Sequence, residues 1–136
     1  MSTTGYSGTP LLKKLGITEE MKVLLVNGPA DYYALLDKNI SKQLCKKNDT
    51  PDFIHVFAKS QADFHKAMQQ VLTVVTKNKQ IIVWVSWYKK STGTPTDMTE
   101  DVIRNYALQN GLVDVKVCAV SEQWSGLKLV VPLAKR

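Results

Sequence analysis

Short apolar runs alternate along this chain with stretches whose apolar side chains recur every three or four positions, so strands and helices are predicted in turn. The first helix is expected to start at Thr9-Pro10, a side-chain acceptor at the cap followed by a residue with no amide proton to lose. It would lay Leu11, Leu12 and Leu15 on the edge of the sheet and stop at Gly16. KVLLVN (22–27) reads as a buried parallel strand, almost wholly apolar and ended by Gly28-Pro29. Asp31 is placed to cap a short helix carrying Tyr32, Leu35 and Leu36. Residues 39–51 offer at most a short strand near Gln43–Cys45, and FIHVFA (53–58) is the next clear strand.

The best-defined helix follows. Phe64, Ala67, Met68, Val71, Leu72 and Val75 form one continuous apolar stripe, with Ser60 and Asp63 at capping-box spacing. QIIVWVSW (80–87) is the most β-branched strand and belongs at the centre of the sheet. After a polar loop (89–96), Asp97 and Glu100 have the spacing to cap a helix that buries Val102, Ile103, Tyr106 and Ala107 and ends at Gly111. Strands at 113–121 and 127–133 close the chain. The Glu122–Gly126 link between them permits only antiparallel pairing, and Pro132 points to a free edge on the last strand. This order predicts an α/β fold: one three-layer, Rossmann-like domain over residues 1–136, with a polar arm at 1–9. Its sheet should be mostly parallel, with five to six strands and an antiparallel C-terminal hairpin.

Composition supports a folded, soluble chain. Of 136 residues 44% are hydrophobic and 22% charged, and no apolar run has the length of a membrane helix. Two distant cysteines, Cys45 and Cys118, fit a reducing, cytoplasmic setting, with Cys118 in a strand that reads as core. The net charge of +6 invites an acidic partner, but the cations are nearly all lysine and come singly or in pairs. Non-specific nucleic-acid binding is therefore the weakest of the functional readings.

Candidate chemistry is sparse. Ligands collect beyond the carboxyl ends of strands in open parallel sheets. Those ends project Asn27, Gly28, Lys59, Trp87, Tyr88, Lys89, Lys90, Glu122 and Trp124 as candidate ligand-binding residues. The turn NGPAD has one glycine where a dinucleotide loop has three, and Pro29 removes an amide, so no cofactor is predicted. The loop KKSTGTPT (89–96) offers two cations, several hydroxyls and a helix start to an anion, although Asp97, Glu100 and Asp101 already place negative charge there. His55 lies mid-strand and reads as a hydrogen-bonded core residue. Neither it nor His65 belongs to a metal-spaced cluster, and no nucleophile motif is present, so neither catalytic nor metal-ligating residues are assigned.

Three segments, GYSGTPLLKKLGI, TDMTEDVIRNYALQNGLVDVKVCAV and WSGLKLVVPL, resemble a bacterial family of small domains of unknown function. That resemblance implies a one-domain cytoplasmic protein and brings no activity or ligand with it. LLKKLGITEEMKVLLVNGPADY and the closing hairpin are also distantly similar to class I methyltransferases, with Asn27-Gly28-Pro29 in place of the acidic glycine-rich loop. The leading expectation is a non-catalytic module binding a partner protein or a small anionic ligand. An enzyme with an atypical adenosyl-cofactor or nucleotide site near Asn27, Gly28 and Trp87 is the alternative.

Overall fold

Each clear apolar run forms a strand in the computed structural model, which describes residues 10–46 and 48–136. The strands are β1 (Val23–Val26), β2 (Phe53–Phe57), β3 (Ile82–Tyr88), β4 (Val113–Ala119) and β5 (Trp124–Val130), standing in the order β1-β2-β3-β5-β4. β1–β2 and β2–β3 pair parallel, while β5 runs antiparallel to both β3 and β4. Four strands thus point one way, yet half of the ladders are antiparallel, so the mostly parallel expectation is met only in part. The cause is the tight turn before β5: it forces a hairpin, and inserting the returning strand next to β3 reverses two ladders at once. A single bridge from Val23 to Leu44 is all that forms of the short strand expected near residues 43–45.

Helices α3 (Gln61–Lys77) and α4 (Glu100–Gln109) cover one face of the sheet, over Ile54, Val56, Val83, Val85, Leu127 and Leu129. Two five-residue helices, α1 (Leu11–Leu15) and α2 (Tyr32–Leu36), lie on the other face over Phe53, Phe57, Trp84 and Trp124. The leucines of α1 pack across the middle of the sheet, not its edge, because the Trp84 Nε1–H donates to the Leu15 carbonyl at 2.9 Å. Gly126 makes that close packing possible: a Cβ there would stand 3.1 Å from Trp84 and Val120 and 3.3 Å from Ser86 Oγ.

Several expected ends are different. Pro10 itself occupies the cap of α1, and Thr9 lies outside the described residues. Asp31 precedes α2 without a side-chain cap bond. Ser60 caps α3 as expected, whereas Thr99, not Asp97, caps α4 by accepting from the Val102 amide. β5 is an interior strand, and Pro132 lies beyond its end, so the proline interrupts no ladder. At this end of the sheet the edge strand is β4, which leaves Cys118 half-buried on a border strand instead of in the core.

Candidate functional site

The turn after β1 carries the first two candidates. Asn27 adopts a left-handed conformation (φ 57°) and is exposed. Gly28 is exposed too, but the space its missing side chain leaves is taken: an added Cβ would fall 2.4–2.8 Å from the Leu25 side chain. In phosphate-binding turns that space admits the ligand; here the chain's own leucine fills it. Beside Asn27, on the α3 face, an open cleft of about 300 Å³ is lined by Val26, Asp63, Lys66, Ala67 and Gln70.

Two strands away, about 10 Å by strand spacing, the ends of β2 and β3 carry a tighter group. Tyr88 stacks on Trp124 with ring centres 4.3 Å apart, and Lys59 Nζ stands 5.8 Å from the centre of the Tyr88 ring. β3 and β5 impose this stack, because their register sets Tyr88 directly opposite Trp124. Trp124 is only 4% exposed and also meets Phe57 edge-on, so it forms the floor of the group. Trp87, one residue before Tyr88, points to the opposite face of the sheet and is buried among the α3 and α4 contacts. Of the three aromatic candidates only Tyr88 reaches the surface, because alternation along β3 separates neighbours that look equivalent in sequence. Lys89 is half-buried, its amide donating to the Gln123 carbonyl; Lys90 and Glu122 are exposed on adjoining turns.

Hydroxyls of the 89–96 loop bond within the loop and to the turn before α3, so Thr92 and Thr96 already donate to the chain's own carbonyls. Thr92 Oγ1 donates to the Lys89 carbonyl and Thr96 Oγ1 to the Lys59 carbonyl. Asp97 does not cap its own helix. Its Oδ1 accepts from the Gln61 amide at the start of α3, where the helix dipole favours negative charge. The α3 N-terminus is therefore already served by a carboxylate of the same chain.

The groups that resemble catalytic machinery lie in the interior. His55 Nε2 and Ser86 Oγ are 2.7 Å apart, and His55 Nδ1 and Tyr32 Oη are 2.9 Å apart. His55 and Ser86 are wholly buried and Tyr32 is 2% exposed, so no substrate reaches them. Burial pushes the His55 pKa down to about 3 and that of Tyr32 above its usual value, keeping both neutral. A neutral imidazole has one donor and one acceptor nitrogen, which suits one hydroxyl on either side. The trio ties α2, β2 and β3 together and is structural. The mid-strand position announced His55 as a core histidine, while its partners gave no sequence signal because they come from two other elements.

Among the described residues no three His, Cys, Asp or Glu side chains converge on a metal position, and no helix is long and apolar enough to cross a membrane. No family model matches the chain, and no curated protein matches it. Solved structures do. One, a protein in the NADB-Rossmann superfamily from Streptococcus agalactiae, is 8% identical with a TM-score of 0.52, covering 96% of this chain and 71% of that one. Another, an uncharacterised protein from Listeria monocytogenes serotype 4b, is 8% identical with a TM-score of 0.59, covering 92% and 68%. The likeness establishes a Rossmann-like α/β fold.

Proposed function

We propose that the chain is a non-catalytic, Rossmann-like binding module that takes a partner protein or a small anionic ligand at the carboxyl ends of its parallel strands. Lys59, Tyr88 and Lys89 are the contact residues, with Lys90 and Glu122 on the rim and Trp124 as the floor. The observation that carries this reading is the Tyr88–Trp124 stack with the Lys59 ammonium beside it. An aromatic plate held rigid by a buried ring, next to a cation, loses little freedom on binding, which is how compact recognition sites economise on ordering. The burial of His55 and Ser86 and the filling of Gly28 by Leu25 weigh against chemistry at either place. The two free cysteines suit a reducing compartment.

The test is an NMR titration with phosphate, nucleotides and a glutamate-rich peptide. Shifts centred on the amides of Lys59, Tyr88 and Lys89, lost in Tyr88→Ala and reduced in Lys59→Glu, are expected. Ligands that all leave the Lys59, Tyr88 and Lys89 amides unshifted, or shifts there that survive both substitutions, would sink the assignment.

A second reading, an enzyme holding an adenosyl cofactor or nucleotide, is favoured by the cleft beside Asn27, whose volume is at the low end for small-molecule sites. A thermal-shift series with S-adenosylmethionine, its demethylated product and common nucleotides decides it. Ligand at 100 times its dissociation constant adds about 2.7 kcal/mol to the folded state. The module reading expects no shift with the adenosyl compounds.

A further inference from the structure

The two faces of the sheet are covered unequally. α1 and α2, five residues each, lie over the middle strands, and beyond them the face turned by β4 and β5 carries Val113, Lys116, Cys118, Lys128 and Val130, all half-buried or exposed. The register places Val113 opposite Val130 and Lys116 opposite Lys128, and Lys128 opposite Trp84 fixes which face they share. Like charges directly opposed across an antiparallel pair repel. Consistent with this, burial and then the charge of Lys116 hold the Lys128 ammonium below its ordinary pKa. Lys14, on α1, is close enough to act with Lys116 on the Cys118 thiol, so the positive field extends to the border of α1. Among the described residues neither Lys116 nor Lys128 is ion-paired. The acid nearest Lys116 in sequence, Asp114, is engaged elsewhere, accepting from Arg104 across to α4.

A pair of opposed cations flanked by two valines, on a part of the sheet that no helix of the described residues covers, is a pattern suited to recognition. We infer that this half-face of β4 and β5 is a docking surface for an acidic, partly apolar segment of another protein. Its carboxylates sit between Lys116 and Lys128 while its apolar side chains cover Val113 and Val130. Charge complementarity chooses the sign of the partner, and the residue types choose its class. Sheet surfaces that take single-stranded nucleic acid stack bases on aromatic rings and use arginine. This patch has neither ring nor arginine. An anionic membrane needs a larger basic cluster with protruding apolar side chains, whereas this patch has two lysines and two half-buried valines. The surface is separate from the Lys59–Tyr88 group and does not depend on it.

The experiment titrates a synthetic peptide alternating Glu with Val and Leu into the protein, followed by NMR and calorimetry. The same peptide with Gln for Glu, a single-stranded RNA oligonucleotide and phosphatidylserine vesicles serve as competitors. The Glu peptide should bind with shifts at Val113, Lys116, Lys128 and Val130, and the Gln peptide at least about tenfold more weakly. Lys116→Glu is the decisive variant, because it replaces repulsion by a cross-strand ion pair. It should raise the melting midpoint by about 1–3 °C while weakening the Glu peptide at least about tenfold. Lys128→Glu is a second route to the same result, and the shifts at these four residues persist in a protein whose Lys59–Tyr88 site is saturated with phosphate. Equal binding of both peptides, undiminished binding by the charge-reversed variants, no binding at all, or tighter binding of RNA or vesicles at these residues each overturns the proposal.

Discussion

The sheet presents two faces built by different means. Under α3 and α4 the core is mainly aliphatic: of eighteen buried residues in that cluster only Phe64 and Trp87 are aromatic. Under α1 and α2, five of twelve are aromatic: Tyr32, Phe53, Phe57, Trp84 and Trp124. A helix of 17 residues brings a full stripe of side chains to the sheet, and small aliphatic groups then suffice. A helix of five residues brings two or three, so large rings must span the remaining space. Rings with polar edges need partners when buried. That is why this face also holds the Trp84–Leu15 bond and the Tyr32–His55–Ser86 trio, and why, among the described residues, its helices do not reach β4 and β5.

The comparison can be broken most forcefully at Trp84. Trp84→Ala should cost about 3–5 kcal/mol in urea unfolding. If the faces are built separately, hydrogen exchange should show protection lost in α1 while α3 stays protected; equal loss in both helices would mean one undivided core. Acid sharpens the contrast next. The unfolded chain protonates His55 below about pH 6.5, and the folded chain only near pH 3. The group's contribution is thus complete above pH 6.5 and drains away as pH falls towards 3, by about 1.4 kcal/mol per pH unit. His55→Gln should lower stability at neutral pH yet flatten that slope; an unchanged slope between pH 6 and 4 would show that His55 is not the group responsible. The smallest expected effect lies on the other face, where Asp97→Ala should cost about 0.5–1.5 kcal/mol by removing the carboxylate from the α3 N-terminus. Its sign is the informative part: no loss in chemical denaturation would mean that Ser60 alone sustains that end.

Local signals in the sequence were faithful where one element sufficed to generate them. The α3 stripe, the Ser60 cap, the left-handed stop at Gly16 and the central position of β3 all follow from residues within a few positions of one another. The candidate site was legible only as a set of strand ends. Trp87, Tyr88 and Trp124 look alike in sequence, and the alternation of β3 together with its register against β5 made one a core residue, one a surface plate and one its floor. Asp97 misled for a related reason: its spacing to Glu100 is that of a capping box, while the loop's path delivers its carboxylate to a different helix.

The order of strands and helices and their buried faces thus follows from the residues alone, because propensity, capping and hydrophobic period act over one or two turns of chain. Long-range packing settles that β5 enters between β3 and β4, that His55 finds Tyr32 and Ser86, and that Lys116 faces Lys128. Each of these depends on pairing between segments distant along the chain, chosen by the free energy of the whole packed sheet.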